Sequence, residues 1–313
     1  MKIHLDNVNL NSRSGPNSFA SRLSNQLLKW GHQVVHDGRI ADISLVFIEK
    51  SGMPLAKKVV HRLDGIWFSP NQFHTHNINI KDTYEKADHV IWQSEFDKQM
   101  TTKWWSLPKS GSVIRNGASF EFEKDIQLQE KIQFLKQKHE KIFVCSANWH
   151  PQKRLQSNID LFLHLKERLY PTSCLIVMGS NPGINKTIPD LYATGNIPHN
   201  LCMQIYEACD WMFHLAWLDH CPNTVVEALM CKLPVICSSS GGTKELIQDY
   251  GLVLNEKSEY DFSLVDYDNP PTLNVAQIES LPSRDALGEA PNLSIEKSVK
   301  MYLDVFEYVM KEK

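Results

Sequence analysis

The sequence predicts an α/β protein made of two open domains, each built on a mostly parallel sheet. Its 313 residues are long for one ordinary domain and comfortable for two. Short apolar runs alternate with stretches of helical spacing, and this alternation occurs in two separate sets. A highly charged, helical stretch without a strand pattern separates the sets at residues 121–140 and suits a linker.

The first set starts at the amino terminus with a predicted strand, KIHLDNVNL. A helix follows, because Phe19, Leu23, Leu27 and Trp30 recur every three or four residues and Gly31 ends the pattern. The later apolar runs read as strands: HQVVHDG, ISLVFIE, KKVVHRLDG, HVIWQS and GSVIRNG. Residues 1–125 are therefore predicted to form the N-terminal domain.

The second set spans residues 126–293 and predicts the C-terminal domain. Its strand patterns are KIFVCSAN, SCLIVMGS, WMFHLAW and LPVICSSS, and its helix patterns are LQSNIDLFLHLKERLY, LCMQIYEAC, TVVEALMCK and GTKELIQDY. Residues 255–290 are polar and Pro-rich and give no clear pattern. Residues 294–313 predict an amphipathic helix that packs back towards the N-terminal domain.

Composition restricts the class of protein. At 42% hydrophobic and 22% charged residues, the chain can bury sizeable cores and is not disordered. No apolar run reaches the roughly 18 residues of a membrane span, and the start lacks the apolar stretch of a signal peptide. Seven cysteines without a C-x-x-C pair indicate buried, reduced thiols. We therefore expect a cytoplasmic protein without a transmembrane segment.

Charge is unevenly distributed although the net charge is only −3. Residues 1–120 contain 15 basic and 10 acidic side chains, so the front part is basic. A solvated mixed surface explains this distribution, and so does a surface that meets an anionic membrane or acceptor. Both interpretations stay open, and a location peripheral to a membrane is compatible with the second.

Residues that follow strands are the candidates for binding, because ligands of open α/β sheets lie beyond the carboxyl ends of the strands. Gly15 follows the first strand, where it would allow a tight turn or a close ligand approach. Lys153 and Arg154 enter a helix whose dipole disfavours cations, and a bound anion would remove that conflict. The sequence contains neither G-x-G-x-x-G nor a P-loop, which argues against dehydrogenases and P-loop enzymes.

The stretch DHCPNTVVEALMCKLPVICSSSGG follows another predicted strand. Asp219 lies in its loop, Asn223 or Thr224 can cap the next helix, and Glu227 falls on the first turn. A purely structural explanation is that Asp219 is a loop acid and Glu227 a first-turn acid, with no functional role. They also suit a cleft in which ionised carboxylates accept hydrogen bonds from sugar or ribose hydroxyls and helix amides hold phosphate.

This stretch resembles the signature segment of family 4 retaining glycosyltransferases. The matching residues are Asp219, Glu227, Ala228, Pro234, Val235, Gly241, Gly242 and Glu245. The resemblance extends to NSRSGPNSFASRLSNQLLKWGHQVV, HRLDGIWF, ADHVIWQSEFDKQM, VIRNGAS and ANWHPQKRL, and so covers nearly the whole chain. It implies the GT-B fold, in which two Rossmann-like domains face each other across a cleft. Residues 1–125 would then be the acceptor side and residues 126–293 the nucleotide-sugar side.

The resemblance implies a role for each matching residue. Glu227 would hold the ribose hydroxyls, and Asp219 would contact the transferred sugar. The amides near Asn223 and Thr224, together with Lys153 and the Gly15 loop, would neutralise the diphosphate leaving group. It further implies a nucleoside-diphosphate sugar donor, for which a UDP-sugar is expected, no other cofactor, and no metal ion.

Two departures from the family pattern matter. Asp219 is one methylene shorter than the usual Glu, and Asn148 stands where the family carries a phosphate-binding Arg, a loss for which Arg154 can compensate. In VVHRLDG we predict Asp64 nearest the reacting carbon, with His61 as the second choice. The DYD at Asp266–Asp268 lacks the preceding strand of a metal-binding motif, and no H-E-x-x-H spacing supports zinc.

The leading functional hypothesis is a retaining glycosyltransferase. The acceptor would be a glycan, a lipid-linked glycan or a modified DNA base, and aromatic residues near Asp64, such as Trp67 and Phe73, could stack on it. Two alternatives stay open. One is a nucleotide-sugar 2-epimerase on the same fold, which would need no acceptor. The other is a catalytically silent binding protein.

Overall fold

A computed structural model describes residues 1–12, 14–108, 110–180, 184 and 187–312. Within these ranges the strands form two six-stranded sheets, and every strand pair is parallel. The predicted α/β class with two parallel sheets is therefore confirmed.

The first sheet has the strand order β2-β1-β3-β4-β5-β6. Its strands are β1 (Lys2–Asp6), β2 (Gln33–Val35), β3 (Ile43–Phe47), β4 (Val59–Leu63), β5 (His89–Trp92) and β6 (Gly111–Val113). Its helices are α1 (Gly15–Lys29), α2 (Pro70–His76), α3 (Ile78–Lys86) and α4 (Glu95–Trp104). Every residue of β3 is buried, as expected for a central strand covered on both faces.

The second sheet has the strand order β12-β11-β10-β7-β8-β9. Its strands are β7 (Ile142–Ser146), β8 (Cys174–Met178), β9 (Leu191–Gly195), β10 (Trp211–His214), β11 (Val235–Ser238) and β12 (Gly251–Leu254). Its helices are α5 (Ile126–Lys138), α6 (Leu155–Arg168), α7 (His199–Ala208), α8 (Asn223–Met230) and α9 (Thr243–Ile247). The last helix of the chain is α10 (Ile295–Lys311). No helix in the described ranges is long and apolar enough to cross a bilayer.

Helix α10 returns from the second half of the chain to the first sheet. Its residues Tyr302, Phe306 and Val309 are buried in one cluster with Phe19 and Leu23 of α1. Phe19 and Tyr302 lie with their ring centroids 5.8 Å apart. The apolar stripe of α10 is thus covered by the first sheet's helix layer.

The segment after β12 also crosses to the first sheet, which the sequence pattern did not indicate. Tyr260, Phe262 and Tyr267 pack into a cluster with Phe68 and Phe96. The backbone N–H of Val265 donates to Phe68 O at 3.0 Å, and Trp104 Nε1 donates to Phe262 O at 3.0 Å. Aromatic packing therefore replaces regular secondary structure as the reason this stretch is ordered.

A third contact joins the two halves at helix α4. The Glu245 carboxylate accepts the first backbone N–H groups of α4, from Glu95 and Phe96, at 2.8 Å each. An acid at a helix N-terminus satisfies unpaired amides and favours the helix dipole. The two sheets are consequently held with the carboxyl ends of their central strands facing each other.

Candidate functional site

A cleft of about 680 Å³ lies between the two sheets. Three of its lining residues come after strands: Gly15 after β1, Asp64 after β4 and Asp219 after β10. Other lining residues come from both halves, including Arg22, Gln93, Asn116, Asn148, Lys153, His199, His220, Asn223, Thr224 and Glu227. The second sheet reverses its strand order between β7 and β10, which is the place where open α/β sheets bind ligands.

Helix α8 begins inside this cleft without a side-chain cap. Pro222 is the residue before it and provides no side-chain cap, and among the described residues no side chain accepts from the backbone N–H of Asn223 or Thr224. The first N–H groups of such a helix attract anions, since they are unpaired and lie at the positive end of the dipole. The Asn223 side chain donates to the Gly15 carbonyl at 2.8 Å, so the starts of α8 and α1 lie side by side.

Gly15 itself is the first residue of α1 and lacks a positive φ. A Cβ added there would have Asn223 Nδ2 as its nearest neighbour, at 3.9 Å. Neither the backbone conformation nor packing against the protein requires glycine here. The tight-turn reason offered from the sequence is therefore wrong, and the close approach of a ligand is the reason that stays open.

Asp219 is held by two cationic or polar neighbours. Its carboxylate forms an ion pair with Lys153 and a hydrogen bond with His214 Nε2, at 3.0 Å. Burial works against ionisation of this acid, but Lys153 and His214 outweigh it and hold the pKa of Asp219 well below its usual range. Asp219 is thus a charged hydrogen-bond acceptor at neutral pH.

Glu227 lies one turn into α8 and faces the first half of the chain. Its Oε1 accepts from Arg22 Nη1 of α1 at 2.9 Å and lies 3.3 Å from His199 Nε2 at the start of α7. Burial opposes ionisation, yet His199 and Arg22 bring the pKa of Glu227 below its usual value. Both predicted acids are therefore brought to one cleft, and both are ionised.

Asp64 follows β4 and enters the cleft from the opposite side. Its Oδ1 accepts from the buried Arg62 guanidinium and from Gln93 Nε2, the latter at 2.6 Å. Its Oδ2 has no hydrogen-bond partner among the described residues. Burial raises the pKa of Asp64, although Arg62 and Gln93 act against it. One oxygen of Asp64 is thus fixed by two hydrogen bonds, and the other is buried without a partner among the described residues.

Asn116 continues this arrangement across the cleft. Its side-chain amide donates to Gln93 Oε1 at 2.9 Å and to Asn223 Oδ1 at 3.0 Å, and its own oxygen accepts from Arg62 at 2.7 Å. A satisfied, buried amide of this kind orients several side chains at once. The Asp64 carboxylate is thereby connected to the start of α8.

His61 is not part of the cleft, contrary to our second-choice prediction. It lies inside β4 and is fully buried, and its Nε2 contacts the Ile48 carbonyl at 2.7 Å. Burial lowers its pKa to about 4, so it is a neutral side chain of the sheet. The physical reason is its position three residues before Asp64, below the carboxyl edge of the strand.

Arg154 also lies elsewhere than predicted, whereas its neighbour Lys153 lines the cleft. Arg154 adopts a left-handed conformation with φ 49° at the start of α6. Its guanidinium donates to Glu256 at 2.6 and 3.1 Å and is buried behind the cleft. The left-handed turn sends adjacent side chains in different directions, so Arg154 does not replace the cation missing at Asn148.

Five of the cleft residues named above were not found from the sequence: Arg22, Gln93, Asn116, His199 and His220. Arg22 is in the middle of a helix and His199 starts another, so neither follows a strand. The Arg22–Glu227 contact joins positions 205 residues apart. The Asp266–Asp268 stretch lies in a turn. There the backbone N–H of Asp268 donates a hydrogen bond to the Asp266 carboxylate at 3.1 Å.

Comparison with known proteins identifies the second half of the chain. Residues 127–263 match the family model described as Glycosyl transferases group 1. The chain is a glycosyltransferase with the GT-B fold. No curated protein sequence matched the chain.

Solved structures share this fold over nearly the full length of the glycosyltransferase. A glycosyltransferase from Rickettsia africae has a TM-score of 0.68 at 13% identity, covering 100% of this chain and 99% of that one. Anabaena HepE, solved in complex with UDP-glucose, has a TM-score of 0.64 at 14% identity, covering 97% and 100%. WaaG, described as a glycosyltransferase involved in lipopolysaccharide biosynthesis, has a TM-score of 0.62 at 11% identity, covering 99% and 93%.

Proposed function

We propose that this glycosyltransferase moves a sugar from a nucleoside-diphosphate sugar to an acceptor hydroxyl with retention of configuration. The observation that carries the proposal is the uncapped start of α8, which lies between two ionised acids, Asp219 and Glu227. The helix amides suit the diphosphate, and the two carboxylates suit the hydroxyls of the ribose and of the transferred sugar, which are the three parts of a nucleotide sugar. HepE, which shares the fold, is described with UDP-glucose bound.

The donor would be held mainly by residues 126–293. Glu227 lines the cleft and its Oε1 is engaged by Arg22 and His199, so Oε2 is the oxygen that would accept hydrogen bonds from the ribose hydroxyls. Asp219 accepts from hydroxyls of the transferred sugar. The amides of Asn223 and Thr224, the ammonium of Lys153 and the chain at Gly15 surround the diphosphate, and the polar side chain of Asn148 faces it from the β7 side.

Catalysis follows from charge stabilisation of the leaving group. The bond between the anomeric carbon and the β-phosphate oxygen breaks, and the diphosphate gains negative charge. Lys153 and the α8 amides stabilise that charge in place, since they need no reorganisation in the transition state. The acceptor oxygen bonds to the same face of the anomeric carbon, and its proton passes to the departing phosphate oxygen. None of these steps uses a metal ion.

Asp64 would position the acceptor hydroxyl. Arg62 and Gln93 fix one of its oxygens, and the other has no partner among the described residues. This free oxygen accepts a hydrogen bond from the reacting hydroxyl and aligns it with the anomeric carbon. Residues 1–125 would thus form the acceptor side, with helix α10 packed against them.

The acceptor class is proposed from the surface beside Asp64. Trp67 is 45% exposed, and its ring centroid lies 5.2 Å from that of His76. The Asn77 side chain accepts from the Trp67 backbone N–H at 2.9 Å and donates to the Trp67 carbonyl at 2.6 Å. An exposed aromatic platform on a basic domain suits a glycan, a lipid-linked glycan on an anionic membrane, or a modified nucleic acid. A strong loss of transfer to DNA with added salt would identify a nucleic-acid acceptor.

Donor profiling tests the proposal. Thermal melting is measured with UDP-, GDP- and ADP-sugars, because a ligand that binds the native state raises the melting temperature. We expect one series to stabilise the protein, with UDP-sugars the first choice, and the stabilising donor to be consumed when an acceptor is added. Interconversion of sugars from donor alone would indicate an epimerase. Binding without turnover, under every acceptor condition, would indicate a silent binding protein.

A further inference from the structure

Arg22 lines the cleft from the first half of the chain, and no role has been assigned to it so far. It lies about two turns into α1, and its Nη1 donates to Glu227 Oε1 at 2.9 Å. Its side chain is only 14% exposed. A long cationic side chain is therefore held at the proposed ribose position by a residue of the opposite half.

Two further nitrogens of Arg22 are unused. In the parts of the chain that the structure describes, Nε and Nη2 are buried and have no hydrogen-bond partner. A guanidinium has five donors, and a buried donor without an acceptor costs free energy. An anionic ligand in the cleft would satisfy both groups, and guanidinium binds phosphate oxygens in a two-pronged geometry.

The arrangement of α1 and α8 indicates which ligand group Arg22 would meet. The helix starts touch at Gly15 and Asn223, and the helices touch again at Arg22 and Glu227. Glu227 lies four residues after Asn223, about 6 Å along α8. Side chains of a helix lean towards its N-terminus, so Arg22 leans towards the uncapped amides at the start of α8. Between a ribose at Glu227 and phosphates at those amides lies the α-phosphate of a nucleotide.

The other basic side chains near this place have partners of their own, although the proposed function places one of them, Lys153, at the diphosphate as well. Lys153 forms an ion pair with Asp219, and Arg154 is paired with Glu256 away from the cleft. Asn148 is neutral. We propose that Arg22 is a donor-binding residue contributed by the acceptor-side domain, and that its free N–H groups bind the α-phosphate of the nucleoside diphosphate. This inference rests on the proposed function.

A nucleotide series tests the assignment. Calorimetric Kd values for UDP, UMP and uridine are compared between the wild type, Arg22→Gln and Arg22→Lys, and the GDP and ADP series are used where the wild type prefers them. Lys29→Gln is the matched control, because Lys29 is an exposed cation at the end of the same helix. Melting temperatures establish that each variant is folded.

Arg22→Gln should weaken UDP and UMP by about 10- to 100-fold, as expected for loss of charge-assisted bonds. Uridine, which has no phosphate, should change less than about threefold, and Arg22→Lys should recover part of the lost affinity. Equal weakening of all three ligands, or no weakening, would overturn the inference and leave the proposed function intact. A wild type that binds no nucleoside diphosphate would refute the proposed function instead. Should Arg22→Gln fail to fold, the same series on Arg22→Lys decides.

Discussion

Glu227→Gln is the substitution whose effect follows most directly from the geometry. The change keeps the size of the side chain but removes its charge and one of its two acceptor oxygens. In the native protein Oε1 is used by Arg22 at 2.9 Å and His199 at 3.3 Å, so Oε2 is the oxygen left for ribose hydroxyls. The amide can satisfy either Arg22 or the ribose fully, but not both.

The expected size of the effect follows from the bonds that are lost. Hydrogen bonds to charged groups contribute about 1.5–3 kcal/mol each. Losing about one such bond to the donor corresponds to roughly 2–3 kcal/mol, or about 30- to 150-fold in the Kd for the nucleoside diphosphate. The fold should change little, since the amide still accepts from Arg22, and we expect a loss of about 1 kcal/mol in the free energy of unfolding.

Calorimetry with UDP and uridine measures this prediction. Both ligands carry the ribose, so both should weaken to a similar extent in Glu227→Gln. Glu289→Gln serves as the control, because Glu289 is exposed and has no ion pair in the described ranges. The reasoning would be refuted by a folded Glu227→Gln variant that binds UDP within about threefold of a wild type that itself binds UDP.

Three further predictions concern the loop after β4 and its surroundings. Asp64→Asn should lower kcat about 100-fold while the Kd for UDP stays within about threefold, because the proposed function places Asp64 at the acceptor hydroxyl; a parallel loss of donor affinity would contradict this role. Gly65→Ala should destabilise the protein by about 1–3 kcal/mol in urea melts, since Gly65 has φ 109° and an added Cβ would lie 2.5 Å from His220 Nε2; an unchanged midpoint would show that the loop relaxes. Asp97 is fully buried, and burial raises its pKa well above the usual value, so it contributes stability at acidic pH that is lost as pH rises through its folded pKa. Asp97→Asn should therefore flatten the decline in melting temperature between mildly acidic and alkaline pH, and an unaltered decline would show that Asp97 is not its source.

Sequence patterns located two site residues that come after strands, Asp64 and Asp219, but missed Gln93, which directly follows β5. Asp64 and Asp219 come after β4 and β10, and parallel sheets place all carboxyl strand ends at one edge. The same argument failed for His61, because a residue within the strand lies below that edge. It failed for Arg154 because a left-handed residue redirects the side chain towards Glu256, which is 102 residues away.

Other features depend on contacts that no local pattern encodes. Strands β9 and β12 were not predicted, since they are short edge strands with partly exposed residues and no clear apolar alternation. The crossing of residues 255–270 to the first sheet depends on aromatic packing around Phe68. Arg22 was missed because its significance appears only when α1 and α8 lie side by side.

A structure of the protein with the nucleoside diphosphate that most raises its melting temperature tests the central claim most directly. The account predicts a ribose hydroxyl within hydrogen-bonding distance of the Glu227 carboxylate. It also predicts the diphosphate against the amides of Asn223 and Thr224, with Lys153 beside it. A nucleotide bound elsewhere, or bound in this cleft with its ribose away from Glu227, would contradict the account.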